Sequence, residues 1–259
     1  MAVNTVSGCI VTYNNMRTIE KTVSTLLEYT KGVDFTLYIQ DNDSTDGTPD
    51  FVMKAFADDP RVIVTKRGVN DGFGAGHNSV IGMIESDYHV IINPDIEIRS
   101  DVISDMVSYM EQNRDIGLLS PRICFPDGRD QILGKRDPKL CYLIASRMRN
   151  EASPSDALRE YAMLDCDLSK PCDIENATGC FMMIRTDVFK SIGGFDGNYF
   201  MYFEDCDITR TVRQDHRAVY YPDTIVYHVW GRESKKNLRL MLVQIKSMFY
   251  YFKKWRKYG

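Results

Sequence analysis

Short apolar runs alternate with helical patterns through the first half of this chain, and that alternation limits the possible folds more than any other feature of the sequence. The runs typical of strands are Val6–Thr12, Thr36–Asp41, Val62–Lys66 and His89–Asn93. A candidate helix follows each of them. This order predicts an α/β fold with a doubly wound, mostly parallel sheet and helices on both faces.

The second half of the chain is less regular. Between residues 129 and 173 the periodicity weakens and prolines interrupt the chain, so we expect an insertion of loops and short helices there. Regular patterns then return as a strand, two helices and two short strands, at Gly179–Arg185, Thr186–Ile192, Phe203–Gln214, Ala218–Tyr221 and Ile225–His228.

Cysteine usage and hydropathy exclude several classes of protein. The seven cysteines are odd in number and form no C-x-x-C pair, which argues against a disulfide framework and against a zinc knuckle. No apolar stretch reaches the roughly 18 residues needed to cross a bilayer, and the N-terminus lacks a signal-peptide pattern. We therefore expect a cytoplasmic protein, with any membrane contact peripheral, at the inner face of the cell membrane.

Charge is distributed unevenly. The net charge is −4, but residues 235–258 hold eight basic residues and no acid, so the rest of the chain carries −12. This distribution argues against a nucleic acid partner for the main body.

The basic C-terminal region, residues 235–259, also has helical periodicity. An apolar stripe with basic residues along one flank predicts an amphipathic helix that suits an anionic membrane surface. The alternative is a helix whose stripe packs on the rest of the protein. The stripe consists of Leu238, Met241, Leu242, Ile245, Met248, Phe249, Phe252 and Trp255, and the flank of Arg239, Lys246, Lys253 and Lys257.

Polar residues end the predicted parallel strands, at the edge of the sheet where α/β proteins bind ligands. The carboxylate of Asp41 can accept the imide N–H of a uracil or thymine ring, although a helix-capping turn explains the same residues about equally well. The carboxylate of Asp95, in Asn93-Pro94-Asp95, can bind a hard cation that neutralises a diphosphate. Taken alone, that tripeptide is better explained as a turn fixed by Pro94.

A glycine-rich segment, Gly72-Phe73-Gly74-Ala75-Gly76-His77-Asn78, precedes a predicted helix. The G-x-G-x-x-G pattern of dinucleotide-binding proteins requires glycine where this chain has His77, so that interpretation is disfavoured. A glycine-rich helix start can still let the backbone approach a phosphate or a sugar closely.

An acidic cluster, Glu204, Asp205 and Asp207, follows an aromatic run. Neighbouring carboxylates raise one another's pKa, which suits acid–base catalysis, but acids also stabilise the first turn of any helix. His228 ends a later strand beside aromatic residues, where a structural histidine is about twice as common as a ligand.

Taken in order, Ile10-Val11-Thr12-Tyr13-Asn14, Asp41–Gly47, Gly72–Asn78, Asn93-Pro94-Asp95 and Phe203–Asp207 resemble family 2 glycosyltransferases of the GT-A fold. The resemblance covers most of residues 5–255. It implies one GT-A domain over residues 1–234, with a nucleotide-sugar half over about 1–120 and an acceptor half over about 121–234. Within the family, Gly193-Gly194-Phe195-Asp196 and Tyr199–Asp205 are most similar to the bacterial rhamnosyltransferases of cell-surface polysaccharide synthesis.

The resemblance also implies a mechanism and a set of site residues. Transfer would invert the configuration at the anomeric carbon of the sugar, with Asp205 as the general base and Glu204 beside it. Asp95 and His228 would bind a divalent metal, Mg²⁺ or Mn²⁺, while Asn93 occupies the first position of the family's Asp-x-Asp motif. Donor contacts are expected from Thr12, Tyr13, Asn14, Asp41, Asn42, Gly74, Asn78, Asn93 and Arg232.

The expected donor is dTDP-rhamnose, with UDP-hexoses as the alternative, and the expected acceptor is a hydroxyl of a cell-surface glycan or a lipid-linked saccharide. Two other functions remain open. A sugar nucleotidyltransferase would place a glycine-rich, arginine-containing loop after the first strand, where this chain has Thr12–Arg17. A catalytically silent relative would bind a nucleotide sugar without turnover.

Overall fold

The computed structural model describes residues 3–148, 150, 152–229 and 237–256. Its strands are β1 Thr5–Thr12, β2 Asp34–Asp41, β3 Val62–Lys66, β4 Tyr88–Ile92, β5 Ile96–Ile98, β6 Ile116–Cys124, β7 Cys172–Asp173, β8 Phe181–Arg185 and β9 Arg217–His228. Its helices are α1 Ile19–Tyr29, α2 Thr48–Ala55, α3 Phe73–Asn78, α4 Val102–Gln112, α5 Leu140–Arg147, α6 Asp156–Tyr161, α7 Thr186–Ser191, α8 Glu204–Val212 and α9 Leu238–Trp255.

The strands form one mixed sheet in the order β3-β2-β1-β4-β8-β6-β9-β5, and β7 also pairs with β9. Strands β1 to β4 are mutually parallel, and β6 is parallel to β9. Strand β8 runs antiparallel to both neighbours, as β5 and β7 do to β9. Most strands therefore run in one direction, as the sequence predicts.

Helices cover both faces of the sheet because buried side chains alternate along the central strands. In β1, Ile10 packs with α1 and α4, whereas Cys9 and Val11 belong to the core cluster that includes α7 and α8. The doubly wound arrangement is thus confirmed. Among the described residues, no helix is long and apolar enough to cross a membrane.

Local sequence signals account for several element boundaries. The carboxylate of Asp101 accepts the backbone N–H of Ser104 and caps α4, while Pro49 occupies the first turn of α2. The predicted insertion contains the short helices α5 and α6. The two short strands predicted at Ala218–Tyr221 and Ile225–His228 are instead one strand, β9, because a register shift at Pro121 lets it follow β6 along its whole length.

Helix α9 packs on the domain near the start of α8. Its Trp255 indole donates a hydrogen bond to the Asp207 carboxylate at 2.8 Å, and its Lys254 ammonium lies 2.8 Å from carboxylate oxygens of both Asp207 and Asp196. The C-terminal half of the predicted amphipathic helix is therefore anchored to the domain, which separates Trp255 from the exposed part of the predicted stripe.

Candidate active site

The turn after β2 is held to the end of β1 by the side chain of Asp41. The Thr12 hydroxyl donates to one carboxylate oxygen of Asp41 at 2.8 Å, and the backbone N–H of Ser44 donates to the other at 2.9 Å. Only 2% of Asp41 is exposed. The Asp41 carboxylate is therefore held in place by the turn, and its predicted contact with the donor nucleoside stays a prediction.

The β1–α1 loop is tied to the same turn through Asn14. Its backbone has a positive φ of 59°, its N–H donates to the Ser44 hydroxyl at 2.9 Å, and its amide oxygen accepts the N–H of Thr45 at 2.8 Å. The neighbouring Tyr13 is 52% exposed. Asn14 thus positions the loop, and Tyr13 presents an aromatic surface beside it.

The amide of Asn42 is occupied by protein groups. It donates to the carbonyl of Gly72 at 3.0 Å and accepts from the Arg67 guanidinium at 2.5 Å. Asn42 is also buried, so the described structure gives it the role of connecting β2 to the loop before α3.

The glycines of the Gly72–Asn78 segment allow close packing. A Cβ on Gly72 would lie 2.1 Å from the carbonyl oxygen of Phe200, and one on Gly74 would lie 2.8 Å from Phe195. The amide of Asn78 both accepts from and donates to the backbone of Phe195, at 2.8 and 2.7 Å. Gly74 and Asn78 therefore support the segment that leads to the acidic cluster, and a donor contact by either stays a prediction.

Asp95 and His228 come together at the predicted metal position. The Asp95 carboxylate lies 3.4 Å from Nε2 of His228, and the amide oxygen of Gln131 lies 3.2 Å from Nδ1. Gln131 also donates to the His228 carbonyl at 2.6 Å, so the imidazole is fixed from behind. Burial opposes protonation of His228, but its contacts with Cys180 and Asp95 outweigh burial and raise the pKa of the imidazole to about 10.

This pair fits a hard divalent cation. A carboxylate oxygen and an imidazole nitrogen are ligands that Mn²⁺ accepts, and the hydrogen bond that Nδ1–H donates to the Gln131 amide oxygen leaves Nε2 directed at Asp95. Within the described ranges, no group of three His, Cys, Asp or Glu side chains is assembled that could hold a metal alone. A metal here would therefore need oxygen atoms from a ligand. Glu97 is engaged by Lys21 and Arg99, at 2.6 and 2.9 Å.

The two residues before β8 join the metal position to the acidic cluster. The Cys180 carbonyl accepts the N–H of Asn93 at 2.8 Å, and the Gly179 N–H donates to the Asp205 carboxylate at 3.1 Å. Two consecutive residues thus bring Asn93-Pro94-Asp95 and Asp205 to one place at the edge of the sheet.

The carboxyl groups of Glu204 and Asp205 are in unusual surroundings. Glu204 is buried, and one of its carboxyl oxygens has no hydrogen-bond partner. Burial, reinforced by the Asp205 charge, raises the pKa of Glu204 to about 8. Burial also raises the pKa of Asp205, against the effect of N–H groups of Gly179 and Cys206. Groups of this kind are typical of acid–base sites.

The backbone just before these acids is strained. Tyr202 and Phe203 both have positive φ, 70° and 68°, a conformation that costs roughly 1–2 kcal/mol for each non-glycine residue. The Phe200 carbonyl accepts the N–H of Phe73, and the Met201 carbonyl accepts the Ser247 hydroxyl at 2.8 Å. Helices α3 and α9 therefore hold the segment that presents Glu204 and Asp205.

The third acid of the cluster has a different role. Asp207 is buried and bound by Lys254, Trp255 and Tyr199. It anchors α9, although the sequence places it beside the catalytic candidates. Arg232, a predicted donor contact, lies outside the described residues.

Sequence reasoning missed Gln131 and Gly179. Gln131 lies in the irregular insertion, and its partner His228 is 97 residues away, so no local pattern connects them. Gly179 is the first residue of a predicted strand, but its hydrogen bond to Asp205 depends on the packing of α8 against the sheet.

Residues 7–193 match the sequence model of the family described as Glycosyl transferase family 2, and the chain belongs to that family. It is similar to the N-acetylglucosaminyl-diphospho-decaprenol L-rhamnosyltransferase of Mycobacterium tuberculosis, with 27% identity over 209 residues, 73% of this chain and 65% of that protein. It is also similar to the rhamnosyltransferase WbbL of Escherichia coli, with 26% identity over 151 residues, 52% of this chain and 53% of that protein. The chain thus spans less than two thirds of either relative's length.

Solved structures share the fold. The mannosyltransferase PcManGT from Pyrobaculum calidifontis, in complex with GDP-Man and Mn²⁺, gives a TM-score of 0.69 at 16% identity over 98% of this chain and 64% of that chain. GalNAc-T7, with UDP, GalNAc and Mn²⁺, gives 0.69 at 14% identity over 88% of this chain and 44% of that chain. The predicted GT-A fold is confirmed.

Proposed function

We propose that this chain is an inverting glycosyltransferase that moves a sugar from a nucleoside diphosphate donor to a hydroxyl acceptor. The observation that carries the proposal is the meeting of Asn93-Pro94-Asp95, His228 and Asp205 around residues 179–180. In this proposal Asp95 and His228 provide the hard-cation position and Asp205 the acid–base position, at one edge of the sheet. A single displacement needs two such positions, one for the leaving group and one for the attacking hydroxyl.

In the proposed reaction, Asp205 accepts the proton of the acceptor hydroxyl as its oxygen attacks the anomeric carbon. The bond between that carbon and the nucleoside diphosphate breaks on the opposite face of the sugar. Burial raises the pKa of Asp205, which makes its carboxylate a better proton acceptor. Glu204 lies beside it with a carboxyl oxygen that accepts no hydrogen bond from the part of the chain that the structure describes.

Asp95 and His228 are the proposed ligands of Mg²⁺ or Mn²⁺. When bound, the ion would neutralise charge on the departing diphosphate. Gln131 holds the His228 ring in the orientation that this requires. The two solved neighbours that contain Mn²⁺ share the fold and support a divalent ion.

The proposed donor is dTDP-rhamnose, on the strength of two similar proteins named rhamnosyltransferases. The exposed ring of Tyr13 and the fixed carboxylate of Asp41 are the proposed contacts to the pyrimidine nucleoside, with Thr12 and Asn14 holding the two loops together. UDP-hexoses are the alternative donors. Asn42, Gly74, Asn78, Asn93 and Arg232 remain predicted donor contacts.

The proposed acceptor is a cell-surface glycan or a lipid-linked saccharide, because the mycobacterial relative is named for a diphospho-decaprenol substrate. A lipid-linked acceptor would be met at the inner face of the cell membrane, where a cytoplasmic enzyme binds peripherally.

The function is tested by donor binding and turnover. With Mn²⁺, we expect dTDP-rhamnose or a UDP-sugar to bind in calorimetry and to release its nucleoside diphosphate when lipid-linked acceptor extract is added. Asp95→Ala should lose most of this activity, since several kcal/mol of charge stabilisation disappear in such sites, whereas Asp127→Ala on the surface should not.

Four results would contradict the proposal. Exclusive binding of GDP-sugars would reject the pyrimidine donor, and full activity in excess chelator would reject the metal. Formation of pyrophosphate from a nucleoside triphosphate and a sugar phosphate would indicate a nucleotidyltransferase. Nucleotide-sugar binding without transfer to any acceptor would indicate the silent relative.

A further inference from the structure

A cleft of about 310 Å³ lies between the insertion and the strands β6 and β9. Its lining is polar on the strand side, where Ser120, Arg122 and Tyr220 contribute, and it is closed by the insertion through Lys135 and Leu168. The reaction proposed above assigns no role to this cleft.

The cleft adjoins the candidate active site at two points. Gln131 lines it and binds both the imidazole and the carbonyl of His228. Thr178 also lines it, and the next residue, Gly179, donates to the Asp205 carboxylate. A molecule in the cleft would therefore reach toward the proposed base.

Lys135 is the distinctive group in the cleft. Its ammonium lies 4.8 Å from the ring centre of Tyr220, and among the described residues no carboxylate forms an ion pair with it. The nearest acid lining the cleft, Asp130, is already bound by the Arg122 guanidinium through two contacts, at 2.6 and 2.9 Å. Lys135 is half-buried, and burial lowers its pKa to about 8.

A second group in the cleft also lacks a partner. Asn176 is 4% exposed, and its amide nitrogen donates to the Gly134 carbonyl, but its amide oxygen accepts no hydrogen bond within the described structure. A partly buried cation and a buried acceptor without partners are costly unless a ligand supplies an anion and a hydroxyl.

We propose that this cleft binds the acceptor, with Lys135 holding a phosphoryl group and Asn176 accepting a sugar hydroxyl. The inference rests on the proposed glycosyl transfer, whose acceptor it specifies as a phosphorylated saccharide. Lysine binds phosphate as a point charge, and the partial burial of Lys135 strengthens that attraction. The phosphoryl group belongs either to a lipid-linked diphosphate or to a free sugar phosphate.

Direct binding of three probes tests the cleft without relying on turnover. Inorganic phosphate, glucose 1-phosphate and farnesyl diphosphate are titrated into the protein with Mn²⁺ and saturating dTDP present to occupy the metal and nucleotide positions. We expect a phosphorylated probe to bind, and Lys135→Met to weaken that binding about tenfold or more, the usual scale for losing a charged hydrogen bond. Preference for farnesyl diphosphate identifies the lipid-linked source, and preference for glucose 1-phosphate identifies the free sugar phosphate.

Two matched variants serve as controls. Lys135→Arg keeps the charge and should retain binding, and Lys170→Met removes an exposed lysine of the same insertion and should change nothing. Equal binding by wild type and a folded Lys135→Met variant would overturn the proposal, and so would loss of all probe binding when dTDP is added. Binding that survives while no sugar is transferred would leave the cleft intact as a phosphoryl site and reject the transferase function instead.

Discussion

Glu204 and Asp205 are adjacent in the chain, but their carboxyl groups have different partners. Asp205 accepts N–H groups of Gly179 and Cys206, whereas one Glu204 oxygen accepts nothing from the described residues. The two acids are close enough to titrate together, so their ionisation belongs to the pair. Asp207, two residues further on, is occupied by α9.

At this scale we predict that Asp205→Asn lowers the transfer rate by about 10²-fold or more, because the variant keeps the shape of the side chain and loses its basicity. Donor binding should persist. Asp207→Asn should instead lower the melting temperature, since it weakens the contact with Lys254. In wild type the rate should rise with pH as the pair of acids, whose pKa values are both raised, loses its proton.

Comparing the transfer rates of Asp205→Asn, Glu204→Gln and Asp207→Asn identifies the general base. Near wild-type transfer by Asp205→Asn together with an inactive Glu204→Gln would move the base to Glu204. Retained transfer in all of Asp205→Asn, Glu204→Gln and Asp207→Asn would contradict the mechanism.

At the scale of elements, α5 and α9 together expose one apolar surface. The helices are neighbours, since Arg147 of α5 contacts Met241 of α9 at 3.2 Å and Leu143 packs on the cluster around Tyr251. We name this exposed set the α5–α9 surface: Leu140, Ile144, Met148, Leu238, Leu242, Ile245 and Phe249. Neither helix contains an acid, and Lys139, Lys246 and Lys253 lie along them.

We expect the α5–α9 surface to bind anionic membranes, because it combines exposed apolar side chains with basic residues that each contribute about 1 kcal/mol near such a surface. The variant Leu242→Ser/Phe249→Ser should lose flotation with vesicles containing anionic lipid, and Met83→Ser, which changes an exposed methionine elsewhere, should retain it. Undiminished flotation of the double variant would reject this role, and a concentration-dependent dimer that the double variant abolishes would assign the surface to a second copy of the chain.

For the molecule as a whole, two histidines are enclosed in the core. His77 lies in an aromatic cluster with Phe73 and Phe195, and neither ring nitrogen has a partner among the described residues. Burial lowers the pKa of His77 well below 6.5 and that of His89 to about 3. Each histidine therefore stabilises the fold fully above pH 6.5, and this contribution is lost as pH falls toward the folded pKa.

Acids with a raised pKa, such as Glu204, change the free energy of unfolding with pH in the opposite direction. Comparing wild type with a variant that lacks one histidine therefore separates the contribution of that histidine from theirs. Relative to wild type, His77→Leu should gain free energy of unfolding below pH 6.5, by up to about 1.4 kcal/mol per pH unit. Denaturant titrations between pH 5 and 7.5 measure this difference, with His216→Leu, in the half-buried turn between α8 and β9, as the control. A pH-independent difference between His77→Leu and wild type would show that His77 titrates alike in the folded and unfolded chain.

Strands β5, β6 and β7 were not predicted, but the α/β class, strands β1 to β4 and β8, and the polar residues at strand ends follow from the sequence. These depend on periodicity and turn chemistry within a few residues, as in the cap of α4 by Asp101. The sequence also indicates the family, because Asn93-Pro94-Asp95 and the Glu204-Asp205 pair occur in a specific order.

Which of these side chains are available for chemistry depends on tertiary packing. In the folded chain Asp207 binds α9, Asp205 accepts the N–H of Gly179, and Gln131 binds His228. The apolar stripe of α9 lies partly against the domain and partly in solvent, and Lys135 lines a cleft. Each of these outcomes depends on contacts between residues 26 to 97 positions apart, or on which face of an element is covered. Local patterns contain no information about such partners, because the free energy of a buried polar group is set by what packs against it.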